Sequence, residues 1–305
     1  MGSGVNTALG ALAAVGTALA WALSSTVFTL ASLRAGAMAV NRVRLLMAVG
    51  WLVAAHGLFQ VPLPLRADGE RWLWLGASGI VGLVLGDGCL FQAFVWIGPR
   101  LSMLLLSTAP ALASLGAWWF LGEALSAGQL LGILVTMGGV AWVVLVRDGG
   151  PGRRGPDRRD VLGILCGLGG AAGQAGGLIL AKHGAAGGFP ALSVTLMRML
   201  AATATLWLYT ALRGQIRETL GRFAGDRPAW GYTLAGSFLG PFLGVTLSII
   251  AIQHSAVGIA STLMALPPVF LLPLCYLVFR ERVGWQAVLG TGVALAGVAL
   301  MFLAP

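Results

Sequence analysis

The chain has 305 residues, 58% of them hydrophobic and 10% charged, with a formal net charge of +9. Apolar runs of about 20 residues recur throughout, each long enough to cross a hydrocarbon core of roughly 30 Å, which excludes a soluble enzyme or a soluble binding module. The positive charge excludes a nucleic-acid partner by its placement, because it lies almost wholly in short connections on one side of those runs.

Ten spans are expected, at 7–30, 39–60, 72–97, 101–121, 127–146, 161–182, 191–212, 230–252, 257–279 and 285–303. The first lacks a basic leader and is expected to be a structural helix, not a cleaved signal. Its Thr17, Trp21, Ser24, Ser25 and Phe28 recur at helical spacing on one face. A tryptophan platform beside hydroxyls suits a ligand with an apolar body and a polar head. Hydroxyls bonded back to their own helix are the competing reading. Asn41 and Arg44 lie one turn apart near the start of the second span. Arginine is a natural fork for a carboxylate, whether that of a substrate, of Asp87 or of a helix end.

Asp87 is the sole acid well inside a span and sits between Gly86 and Gly88. A carboxylate there could exchange a proton, hold an ammonium group or pair with an arginine. Gln92 and Trp96 share a face, but Gln92 lies about 140° around an ideal helix from Asp87. Ser126 and Gln129 have the spacing of a capping box. The stretch 147–160, rich in Gly, Arg, Asp and Pro, reads as a hydrophilic linker. Gln174 lies in the sixth span, Lys182 and His183 at its end, and Arg198 about two turns into the seventh. His56, Gln253 and His254 are expected to be satisfied locally. Cys89, Cys166 and Cys275 each lie within a span without metal-site spacing and are expected to be buried small hydrophobes. Pro110, Pro241, Pro267, Pro268 and Pro273 are expected to kink spans four, eight and nine.

Of the 19 Lys and Arg residues, only Arg66, Arg71 and Lys182 fall in even-numbered connections and only Arg198 deep in a span. The rest lie on the odd-numbered side. That bias places odd connections in the cytoplasm and both termini outside, in a cell membrane of the bacterial inner-membrane kind.

The chain also repeats itself. Pro110, Glu123, Gly132 and Gly139 align with Pro268, Glu281, Gly290 and Gly297 at an offset of 158, and Arg44 aligns with Arg198 at 154. The stretch from Leu9 lies over the stretch from Leu162 at an offset of 153. Residues 1–150 and 151–305 are therefore expected to be two copies of one unit. Five spans is an odd number, so the second copy enters the membrane from the opposite side. Such inverted repeats build carriers with a site at the repeat interface. The fold class expected is an all-α membrane protein, with ten transmembrane helices as two inverted five-helix repeats around a central cavity.

With the repeats aligned, the chain resembles the drug/metabolite transporter superfamily, and within it the ten-helix EamA-type exporters. The markers are Pro110 with Glu123, Pro268 with Glu281, the following Gly132 and Gly290, and the paired arginines. The resemblance implies export of small metabolites by alternating access. Amino acids come first, with aromatic ones the narrower expectation. A drug or nucleotide-sugar carrier is the alternative within transport, and an intramembrane transferase on lipid-linked substrate the alternative outside it. The better-known relatives place both termini in the cytoplasm, whereas the charge bias here places them outside.

The sequence has no GxxxxGK[ST], no HExxH and no clustered Cys/His set, so no cofactor, metal or catalytic group is expected. Glu123 and Glu281 fit helix caps or gate pairs. The expected substrate-binding residues are Trp21, Ser24, Ser25, Asn41, Arg44, Asp87, Gln92, Trp96, Gln174 and Arg198. The expected partners are the lipid bilayer and a small-molecule substrate, with the protein a monomer or homodimer.

Overall fold

The protein is described by a computed structural model over residues 2–121, 126–148, 157–186, 189–254, 263–280 and 284–303. Among these residues the regular structure is helical, as expected where no water can satisfy backbone polar groups. In chain order the helices are α1 (Gly2–Ala35), α2 (Ala37–Leu58), α3 (Gly69–Gly79), α4 (Asp87–Leu106), α5 (Ala109–Leu121), α6 (Ala127–Asp148), α7 (Arg158–Gly184), α8 (Ala191–Leu212), the short α9 (Ile216–Gly221), α10 (Arg227–Ser237), α11 (Val245–His254), α12 (Pro267–Phe279) and α13 (Trp285–Leu303). Six described helical stretches are long and apolar enough to cross a membrane; Pro267–Phe279 and Trp285–Met301 are shorter apolar helices. The third and fourth expected spans meet at Gly98, whose φ of 78° and ψ of 165° break the helix ahead of Pro99. The fourth is broken again at Ser107 and Thr108. Pro110, Pro267 and Pro268 fall in first turns, where a missing N–H costs nothing. Pro273 lies mid-helix and Pro241 lies inside a helical segment between α10 and α11. Glu123, Glu281 and residues 149–156 of the linker lie outside the described residues.

The repeat is visible in local structure. Asp68 caps α3 by accepting from Arg71 N, and Asp226, 158 residues on, caps α10 by accepting from Ala229 N. Those backbone donors hold both carboxyls below the usual carboxylate range. The capping box at the start of α6 forms, with Ser126 Oγ accepting from Gln129 N at 3.1 Å and Gln129 Oε1 from Ser126 N at 3.0 Å. Two π-helical segments, Ile80–Gly86 and Phe238–Gly244, join α3 to α4 and α10 to α11, again 158 residues apart. The helical hydrophobic pattern does not anticipate them. Each adds width to a turn, and such bulges often lie at functional sites.

Glycines decide how the repeats pack. A Cβ on Gly132 would lie 2.8 Å from Gly297 O, and one on Gly139 would lie 2.8 Å from Gly290 O. Gly132 is the repeat mate of Gly290, and Gly139 that of Gly297. The pairing is thus reciprocal, as at an interface of two-fold symmetry. It also runs in opposite senses along the two chains, so α6 and α13 cross antiparallel. The same logic holds elsewhere. The first helix of each repeat packs on the π segment of the other. A Cβ on Gly244 would lie 2.6 Å from Trp21 Nε1, and one on Gly240 3.0 Å from Ser24 Oγ. In the mirror contact, a Cβ on Gly173 would lie 2.9 Å from Gly86 N, and one on Gly177 3.0 Å from Gly82 Cα. Ser78 seals that contact by donating to Gly177 O at 2.5 Å.

Candidate functional site

The first π segment ends at Asp87, whose N–H donates to Gly82 O one wide turn back. The bulge therefore stacks Asp87 over Gly82, on the face where α7 makes its closest approach. Asp87 is buried, 5% exposed. Two side chains from two other helices bond to it, and a third braces one of them. Arg44 of α2 pairs with it through Nη2. Gln174 of α7 donates Nε2 to Asp87 Oδ1 at 2.9 Å. Asn41, one turn before Arg44, accepts from Arg44 Nε at 2.9 Å and donates to Leu83 O at 3.4 Å. The carboxylate thus joins the repeats, since Gln174 belongs to the second and the other three residues to the first.

Arg44 is also held from its faces. Its guanidinium carbon lies 4.8 Å from the centre of the Phe91 ring and 5.7 Å from that of Phe28. The two rings pack on each other at 5.0 Å. A cation stacked between aromatic faces needs less water around it. Phe91 is a contributor the sequence reading did not single out. It lies four residues after Asp87, on the same helical face, and that spacing is the signal that could have found it.

Arg198 reaches the same segment from the other side. Its backbone packs on Gly79, and a Cβ on Gly82 would lie 3.4 Å from its Nη2. Asp87 is near enough to act on its charge. Its Nε is buried without a hydrogen-bond partner. Arg44 and Arg198 each lie seven residues into a 22-residue helix, roughly 10 Å along it. The two arginines therefore approach the acid as repeat mates, and only one of them pairs with it.

The remaining expected residues are placed apart from this cluster. Trp21 lies against Gly244 and Ser24 against Gly240. The Ser24 and Ser25 hydroxyls donate to Trp21 O at 3.1 Å and Ala22 O at 2.9 Å, so both bond to their own turn. At the repeat-equivalent of Asp87 stands Val245 and at that of Gln174 stands Trp21, so the polar half of the site is matched by an apolar half. Gln92 lines a cleft of about 420 Å³ with Met38, Arg42, Gln215 and Glu218, at the end where the odd-numbered connections lie. Trp96 packs beside Gly163. Neither shares the Asp87 cluster, as their angle around the helix requires. His56 contacts Leu52 O at 2.8 Å and Ser193 Oγ at 3.2 Å, and His254 contacts Ile250 O at 2.9 Å. The His183 ring lies 5.1 Å from that of Trp74.

Comparison with curated proteins finds no significant match. Among solved structures, a crystal structure of a protein 18% identical to this chain superposes with a TM-score of 0.65, over 96% of both chains, which shows a shared fold. The model of the EamA-like transporter family matches twice, at residues 8–145 and 161–303. Those matches begin 153 residues apart and end 158 apart, the two offsets at which the sequence repeats itself. The chain, a multi-pass membrane protein with two copies of one helical unit, therefore belongs to the EamA-like transporter family, within the drug/metabolite transporter superfamily.

Proposed function

We propose that the protein is a secondary transporter exporting small metabolites, amino acids foremost and aromatic ones more narrowly, by alternating access. In this reading ten transmembrane helices form two inverted five-helix repeats, 1–150 and 151–305, around a central cavity. The observation that carries it is the Asp87 cluster. A buried carboxylate is held jointly by Arg44 of one repeat and Gln174 of the other, at a π segment where the helix geometry is already loosened. Intramembrane charge is expensive and is retained on substrate and ion pathways. The antiparallel, reciprocal contact of α6 with α13 supports a two-fold axis in the membrane plane, the symmetry by which a carrier exchanges one open side for the other. The charge bias puts odd connections in the cytoplasm and the termini outside, in the cell membrane, with lipid and a small-molecule substrate as partners and the protein a monomer or homodimer.

The test is a comparison of metabolites inside and outside cells that do and do not make the protein. One or a few amino-acid-class metabolites should rise in the medium and fall inside. Unchanged medium, with folded protein present in the membrane, would overturn the reading.

A further inference from the structure

The charges around the first π segment do not balance. Arg44 and Arg198 supply two cations and Asp87 one anion. Asp87 already bonds through both oxygens, one to Arg44 and the other to Gln174. Arg198 feels Asp87 but bonds no carboxylate of its own, because Val245 stands where its repeat-related acid would be. Its Nε has no partner. It lies deep in the bundle, yet part of its surface stays accessible. An arginine that bonds no carboxylate is costly inside a membrane protein, and so is retained where something arrives to pair with it. The floor beside it is glycine, at Gly79 and Gly82, so backbone and guanidinium lie side by side with no side chain between them.

We infer that Arg198 is the docking point for a carboxylate carried by the transported molecule. The guanidinium fork matches a carboxylate with two parallel hydrogen bonds and gives planar selectivity that an ammonium would not. Both Asp87 oxygens already accept a bond from the protein, so a substrate ammonium would compete there with Arg44 and Gln174 and contributes less than the carboxylate. The carboxylate is obligatory and the amine dispensable, and deaminated acids of the same shape bind comparably. This rests on the transport reading for its purpose, but binding is measured separately from transport.

The experiment uses full-length protein purified in detergent and three probes: phenylalanine, 3-phenylpropanoate, which lacks the amine, and phenylalaninamide, which lacks the carboxylate. Dissociation constants are read from ligand-dependent thermal stabilisation. Phenylalanine and 3-phenylpropanoate should bind within a few-fold of each other, and the amide at least tenfold more weakly. Arg198→Gln should weaken both acids at least tenfold and leave the amide unchanged. Arg198→Lys should keep a fraction of the acid affinity. If Arg198→Gln does not fold, the three probes on wild-type protein still decide. Equal binding of acid and amide, or no binding of either acid, would overturn the assignment. Export seen in cells alongside either result would leave the transport reading standing.

Discussion

Replacing Gly139 by alanine tests the packing on which the two-fold arrangement rests. The new Cβ would lie 2.8 Å from both Ala294 Cα and Gly290 O. These are backbone atoms, so no side chain can rotate away. Carbon contacts are comfortable at about 3.5–4.0 Å, so α6 and α13 must part by about 1 Å. Helices in lipid associate through close approach of this kind, with no hydrophobic drive to replace it. Overpacking of a tight contact costs about 1–3 kcal/mol, and at roughly 2–4 °C per kcal/mol the melting temperature should fall by about 2–12 °C. The neighbouring Gly138 is exposed, and a Cβ there meets nothing within 4 Å. Gly138→Ala should therefore leave stability unchanged or raise it by about 0.5–1 kcal/mol. Gly297→Ala, at the repeat mate of Gly139, meets Thr136 and Gly132 O, and should cost a similar amount. The readout is thermal unfolding of detergent-purified protein. Equal stability of Gly139→Ala and Gly138→Ala would refute the reasoning.

The Asp87–Arg44 pair is buried, so removing one partner strands the other. Asp87→Asn and Arg44→Gln should each destabilise by about 3–5 kcal/mol, and the double variant should lose less than their sum; additive losses would show that the two groups do not act as a pair. In transport, Asp87→Asn should abolish gradient-driven efflux while retaining exchange if the acid carries the coupling proton, whereas loss of exchange as well would assign it to substrate binding. Trp21→Ala should weaken transport of aromatic substrates more than of small aliphatic ones; equal loss for all would assign Trp21 to packing on Gly244. Single cysteines in a cysteine-free background test the topology. In intact cells an impermeant thiol reagent should label Leu65→Cys and spare Gly150→Cys, and the reverse pattern would place the termini in the cytoplasm.

Much of the fold is legible in the sequence because it depends on spacing along the chain. The offsets of 153 and 158 pair Gly132 with Gly290 and Arg44 with Arg198, and glycine spacing marks where helices touch. Asp87, Gln174, Arg44 and Asn41 stand out as polar residues in apolar runs. What the spacing does not carry is which of them meet. The Arg44–Asp87 pair spans 43 residues and Gln174–Asp87 spans 87, so their meeting depends on tertiary packing. The π segments are equally hidden. A single extra residue per turn leaves the hydrophobic pattern of Ile80–Gly86 unchanged, yet it turns Asp87 toward Gly82 and leaves Gln92 facing a different cleft. Ser24 and Ser25 look like ligand hydroxyls in sequence because their backbone bonds, three residues back, cost no long-range partner.

The central claim is that this protein is a carrier that alternates its open side around the Asp87 cluster. Counterflow tests it most directly. Purified protein is placed in vesicles loaded with a high concentration of an unlabelled metabolite identified in the export comparison, and a trace of the same labelled compound is added outside. A carrier should take up label transiently above its equilibrium level, because outward movement of unlabelled substrate returns the site for labelled substrate. Label that only rises to equilibrium without overshoot, or that enters no faster than in protein-free vesicles, would contradict the account.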